Sequence, residues 1–192
     1  MLSAWREILR AGHARSVELA RRLRFERLGE RPATVEIAPI ALRTLNSFRQ
    51  EDDGDPEAGG VLLGRLIEES DDVVIDEASV PSDSDRRGRT FFQRARRVAQ
   101  KIVDRAWRKT SGTRVYLGEW HTHPESVPHP SAQDHSDWLR IVQTARFEHD
   151  FLLFVIVGTQ TIRTWIVERG ASDARELKPK DLGKSSAAEA RT

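Results

Sequence analysis

A chain of 192 residues is long enough to bury a core of its own and falls in the size range of a single domain. Charged residues make up 32% of it but nearly cancel, at a formal net charge of +1, which removes any large sequence-independent pull toward nucleic acid or anionic lipid. The absence of cysteine excludes a thiol nucleophile, a disulfide framework and thiolate-bound metal.

The chain opens on residues 1–7 without the apolar stretch of a signal peptide, and no apolar run approaches the length of a membrane span. A cytoplasmic protein is expected. Across residues 2–28, Leu2, Trp5, Ile8, Leu9, Leu19, Ala20 and Leu23 recur at helical spacing among many arginines, with Gly12 as an interruption. The pattern predicts an N-terminal helical extension over residues 1–30, either packed on the main domain or docking a partner. A turn at 29–32 leads to a short strand at 34–37. A helix then begins at Pro39, with Leu42, Leu45 and Phe48 as its apolar stripe.

An acidic, turn-rich loop at 51–56 delivers the chain to a buried strand at 57–66 that has Gly59 and Gly60 at its entrance. Residues 73–75 are expected to be its hairpin partner. Residues 81–89 carry no apolar periodicity and read as a mobile loop, whereas Phe92, Ala95, Val98, Ala99, Ile102, Ala106 and Trp107 mark an amphipathic helix.

The strand expected at 115–123 places Leu117, Glu119, His121 and His123 on one face and Tyr116, Gly118, Trp120 and Thr122 on the other. Ser131 then caps a helix whose core side carries Trp138, Ile141, Val142 and Ala145, and Asp134 stands three residues after the cap in the manner of a capping box. Residues 151–157 form an apolar run suited to a central strand buried on both faces, followed by a last strand at 161–167. The tail from 171 has little to bury and reads as disordered. The main domain is thus expected over residues 31–170.

Two histidines at i and i+2 on a strand point to the same side, so His121 and His123 can grip one ion together. Asp134, returning after the proline-punctuated loop, supplies a third ligand. Two histidines and one carboxylate with a fourth place open is the ligand pattern of a catalytic zinc. Water activated there needs a general base that is not itself a ligand. Glu57 is the strongest candidate because it lies at the mouth of a glycine-lined buried strand. Glu125 in the loop and Glu119 on the ligand face follow. Ser131, beyond capping the helix, is placed to donate to an oxyanion.

These residues resemble the JAMM motif of the JAB1/MPN metalloprotease family: a distant glutamate, His-x-His-Pro, ten residues between the second histidine and an aspartate, and Pro-Ser shortly before it. The matching positions are Glu57, His121, His123, Pro124, Pro130, Ser131 and Asp134, and the likeness extends over roughly residues 34–167, including the Gly59-to-Gly64 stretch. The resemblance implies an α+β fold: a mixed, mostly antiparallel sheet flanked by helices, of cytidine-deaminase-like architecture. It also implies a zinc isopeptidase in which His121, His123 and Asp134 bind Zn2+, Glu57 is the general acid and base, and Ser131 stabilises the oxyanion.

The stretch 116–125, with Arg89, Thr90, Phe91 and Phe92 upstream and Trp138 downstream, is similar to the bacterial JAB peptidases encoded beside E1/E2-like enzymes in anti-phage operons. That likeness implies a protein substrate with an extended C-terminal tail, a CD-NTase or a ubiquitin-like protein conjugated through its C-terminus. The alternatives are trimming of a sulfur-carrier or ubiquitin-like precursor and a non-catalytic MPN scaffold. RadC-like DNA-repair proteins carry a similar motif, but the near-neutral charge and the lack of a nucleic-acid module stand against them. Such a tail must lie extended to reach the metal, and the loop at 81–89 is expected to border its groove. The identity of the conjugate and the oligomeric state stay open at this point.

Overall fold

The computed structural model describes residues 23–27 and 33–180. Its elements in chain order are β1 (Leu23–Arg27), β2 (Ala33–Ile37), α1 (Pro39–Asn46), β3 (Gly59–Ile67), β4 (Asp72–Ala78), β5 (Arg86–Gly88), β6 (Phe91–Gln93), α2 (Arg96–Lys109), β7 (Val115–Thr122), α3 (Ala132–Thr144), β8 (Phe151–Val157), β9 (Ile162–Glu168) and β10 (Arg175–Pro179). The α+β class and the mostly antiparallel pairing are as expected. Only β2 with β4 and β7 with β8 run parallel among the neighbouring strands of the main sheet. No helix among the described residues is long and apolar enough to cross a membrane.

The main sheet does not stay open. It closes into a barrel in the order β1, β10, β9, β8, β7, β3, β4, β2, which leaves it no free edge. Closure depends on two strands that lie beyond the expected 31–170 body. Leu23–Arg27, expected to end a helix, instead pairs with both β2 and β10. The reason is its alternation of apolar and charged residues, which buries Phe25 completely and turns Arg24 outward to Glu36 at 2.8 Å. Arg175–Pro179, expected to be disordered, pairs with β9 and β1 around a single buried side chain, Leu177. The rest of the predicted N-terminal helix, at 2–22, and the tail beyond 180 lie outside the described residues.

One apolar cluster joins residues of every barrel strand, among them Phe25, Ile37, Leu62, Ile75, Trp120, Leu153 and Val155, with Ala41, Leu42 and Leu45 of α1. The other two helices cover the outside. Ala99 and Ala106 of α2 pack on Val61 and Leu63, and Trp138 and Val142 of α3 pack on Leu152, Phe154 and Ile156. Alternate residues of β8 therefore serve two clusters, as a strand buried on both faces requires. Phe92 belongs to the β5–β6 hairpin and not to the helix after it, so residues 86–88 are paired strand where a mobile loop was expected.

The alternation of β7 changes phase midway. The pairing with β3 shifts register at Leu62/Leu63, so that Gly118 faces Leu62 while Tyr116 faces Leu63 and Leu117 is skipped. This bulge moves Leu117 to the same side as Trp120, in the barrel cluster, and leaves Tyr116 outside, where its hydroxyl donates to Glu119 at 3.0 Å. The expected grouping of Leu117 with the histidines is thereby corrected, while Glu119 and His121 share a face as predicted. Gly118 makes the bulge possible: its φ is +142°, and a Cβ there would collide with the backbone carbonyl of Leu153 on β8. Gly118→Ala should accordingly cost about 3 kcal/mol, the upper part of the usual range for overpacking. Urea denaturation would measure the loss; an unchanged midpoint would refute this role for the glycine.

Candidate metal centre

His121 stands near the end of β7 with Gly59 of β3 on one side and Ile156 of β8 on the other. His123 follows one residue beyond the strand, and its N–H donates to the Val157 carbonyl at 3.0 Å, which carries the β7–β8 pairing past both histidines. The two rings come together on one side of this strand end, with their Nε2 atoms 3.0 Å apart.

The loop that brings Asp134 back is fastened at several points. The Glu125 carbonyl accepts from Thr159 N–H at 2.7 Å, the Ser126 carbonyl from Thr161 N–H at 3.0 Å, and the Pro128 carbonyl from the Arg163 guanidinium at 3.0 Å. Gly158 lies so close beneath Glu125 and Pro128 that a side chain there would collide with the loop. Ser131 then caps α3 reciprocally. Its hydroxyl accepts from Asp134 N–H at 3.1 Å, while Asp134 Oδ2 accepts from Ser131 N–H at 2.7 Å. The same cap aims the Asp134 carboxylate at the histidines, with Oδ1 at 3.1 Å from His121 Nε2 and Oδ2 at 3.5 Å from His123 Nε2.

The donor set fits a zinc ion. A tetrahedral zinc with bonds of about 2.0–2.1 Å places neighbouring ligand atoms roughly 3.3 Å apart. The two Nε2 atoms are 3.0 Å apart, and each has one Asp134 oxygen near that spacing, Oδ1 at 3.1 Å from His121 and Oδ2 at 3.5 Å from His123. The three candidate ligand atoms all lie within 4.8 Å of one another. The electrostatics agree. Burial raises the Asp134 carboxyl, but hydrogen bonds from His121 and His123, the charge of His121 and the Ser131 hydroxyl outweigh it and hold the group well below the usual carboxylate range. Burial likewise disfavours the His123 imidazolium, yet its hydrogen bond and charge interaction with Asp134, then Glu57 and Glu125, raise it above the ordinary histidine value.

The three candidate bases have separate environments. Glu57 is 5% exposed and close enough to the cluster to feel His123 and Asp134. Its carboxyl is pushed up to about 7, chiefly by burial, with His123 lowering it and Asp134 raising it. Glu125 accepts from His129 N–H at 3.0 Å and so closes its own loop. Glu119 is held by Arg94 and by the Tyr116 hydroxyl. The Ser131 hydroxyl directs its one proton to Asp134 Oδ2 at 2.6 Å, an oxygen that also accepts from Ser131 N–H at 2.7 Å.

Residues 81–89 were expected only to border the substrate groove; the hold of the β5–β6 hairpin on Glu57 was not foreseen. The Glu57 N–H donates to the Gly88 carbonyl at 2.7 Å, and Arg87 Nε donates to the Glu57 carbonyl at 2.6 Å. Phe92, across from Arg87, packs its ring against Gly59. No apolar period marks Arg86–Gly88, so its pairing is invisible before the fold is known.

Known proteins resemble this chain in sequence. A family described as prokaryotic homologs of the JAB domain matches residues 42–168. A protein of Escherichia coli (strain TW11681) named CD-NTase/cGAS isopeptidase is 38% identical over 147 residues, which are 76% of this chain and 88% of that protein. Proteins of the same name are 40% identical over 122 residues in Pseudomonas aeruginosa (strain BWHPSA011 / Pa011), 62% of this chain and 75% of that one, and 36% identical over 129 residues in Vibrio cholerae serotype O1 (strain ATCC 39315 / El Tor Inaba N16961), 67% and 79%. On the extent of the family match, the chain belongs to the prokaryotic homologs of the JAB domain.

Proposed function

We propose that this protein is a zinc-dependent isopeptidase that cuts the amide bond after the C-terminus of a conjugated protein, a CD-NTase above all, and so reverses conjugation by an E1/E2-type ligation. The carrying observation is the convergence of the His121, His123 and Asp134 side chains near the buried carboxyl of Glu57, which burial pushes up to about 7. The name shared by the three relatives supports the reaction and the substrate class.

His121 and His123 through Nε2, and Asp134 through its carboxylate, would hold the ion. Zinc in such a site supplies a nucleophilic water near neutral pH and polarises a carbonyl. Glu57 takes the proton of the water that attacks the carbonyl carbon, then returns it to the lysine amine as the C–N bond breaks. The products are a free C-terminal carboxylate and a restored lysine. Ser131 serves the developing oxyanion by turning its hydroxyl from Asp134 Oδ2, where its own N–H remains as donor. The β5–β6 hairpin, fastened to the Glu57 backbone, borders the path of the substrate tail.

The test is a CD-NTase joined through its C-terminus to a lysine of an acceptor protein. The zinc-loaded chain should release both proteins intact. A chelator should stop release, and added zinc should restore it. Mass spectrometry would place the cut, and no release by the zinc-loaded chain would defeat the reading.

A further inference from the structure

Gln50 is a polar side chain only 3% exposed, well away from the metal ligands in sequence. Burying a primary amide is costly unless its hydrogen bonds are made. Gln50 makes three. Its Nε2 donates to the Asp55 carbonyl at 3.0 Å and to the Arg89 carbonyl at 2.9 Å, and its Oε1 accepts from the Thr122 hydroxyl at 3.0 Å. The partners fix the orientation of the amide, because a flipped group would set its oxygen against two carbonyls.

Each partner belongs to a different part of the site. Asp55 lies two residues before Glu57. Arg89 lies in the turn of the β5–β6 hairpin. Thr122 stands between His121 and His123, fully buried, and its hydroxyl also accepts from Ala58 N–H at 2.9 Å. The Ala58 carbonyl in turn accepts from Thr122 N–H at 2.8 Å, and the Pro56 and Glu57 carbonyls accept from Arg87. Every backbone carbonyl from Asp55 to Ala58 is thus anchored, and the Gln50 amide ties that segment to the hairpin and to the ligand strand at once.

We infer that Gln50 is a positioning residue, which sets the Glu57 carboxylate in register with the metal ligands through the Thr122 hydroxyl and the Asp55 and Arg89 carbonyls. The inference rests on the reading of Glu57 as the base. A leucine at 50 keeps the bulk and removes all three hydrogen bonds, so the Asp55 carbonyl, the Arg89 carbonyl and the Thr122 hydroxyl lose their common partner while the ligand set stays whole. A displacement of about 1 Å at a reacting group can cost roughly a hundredfold in rate.

The experiment uses the full-length, zinc-loaded protein and a conjugated substrate. Gln50→Leu should lower kcat by about ten- to a hundredfold, with KM and zinc content unchanged. In the zinc-free protein, amide exchange at Glu57 and Ala58 should quicken at least about tenfold, while β8 amides keep their protection. Thr122→Val should act in the same direction, and Thr122→Ser should restore the native values; this pair carries the test if Gln50→Leu does not fold. Introduced into Glu57→Gln, Gln50→Leu should cause no further loss. Native kcat in Gln50→Leu or Thr122→Val, a loss confined to zinc content, or an additive loss in the double variant would overturn the inference. If Glu57→Gln alone kept native turnover, the base assignment would fall, and with it the catalytic role given to Gln50; the exchange data would still judge the clamp separately.

Discussion

Replacing Glu57 with glutamine should lower kcat by about 10²–10⁴-fold, the usual worth of a positioned acid–base group, and leave zinc content unchanged. Glutamine keeps the shape of the side chain and removes the proton acceptor, and Glu57 is not among the three clustered ligand groups. The pH dependence should share this origin. Burial pushes the Glu57 carboxyl up to about 7, and the base works only when ionised, so in the native protein kcat/KM should rise with pH and then level. A cation on the ligands favours the ionised carboxyl and draws that limb below the metal-free value.

Stability carries the opposite sign. A carboxyl whose folded pKa is raised stabilises the folded state below its unfolded pKa, and that contribution is lost as pH rises through about 7. The metal-free native protein should therefore lose melting temperature between about pH 4.5 and pH 7, and Glu57→Gln should lose less. Stopped assays with metal analysis, and calorimetry at the two pH values, would check both halves. Full zinc-dependent turnover in Glu57→Gln would remove Glu57 from the chemistry.

The clustering of His121, His123 and Asp134 was readable in the chain because its logic is local. His121 and His123 sit one strand period apart, and Asp134 is fixed by a capping box whose spacing is visible in the sequence. What escaped depends on long-range pairing. Phe25 and Leu177 are single buried residues in strands that alternate with charge, and only the closed barrel gives each of them a partner. The side taken by Leu117 turns on a bulge opposite Leu62 and Leu63, which simple alternation does not contain. Gln50 was hidden for a third reason: it bonds a backbone carbonyl 39 residues on and a hydroxyl 72 residues on, and neither distance leaves a local pattern.

Asp134→Ala should abolish hydrolysis and weaken zinc binding by more than about 100-fold, since losing a group that merely orients a ligand already costs roughly 10–100-fold. The carboxylate lies 3.1 Å from His121 and 3.5 Å from His123, so its removal takes away one ligand and releases the other two. It also removes half of the α3 capping box, at a cost of about 1 kcal/mol. Asp134→Asn separates the two roles: its amide oxygen can still accept from Ser131 N–H, so melting should recover while zinc affinity should not. Protons compete with zinc for the same atoms. Because Asp134 holds His123 above its ordinary value, native zinc affinity should begin to fall while pH is still above about 6.5.

In the metal-free protein the signs follow from the two shifts. Stabilisation from His123 is present below about 6.5 and is lost as pH rises through its raised value. Stabilisation from the depressed Asp134 is present above about 3.9 and is lost as pH falls further. The metal-free protein should therefore be most stable between those limits, and zinc, which takes neutral imidazole, should move the optimum upward. Competition with a chromophoric chelator at pH 6, 7 and 8 would read the affinities, and calorimetry with and without zinc would read the optimum. Native zinc affinity in Asp134→Ala, or an optimum that zinc does not move, would show that these three side chains do not hold the metal.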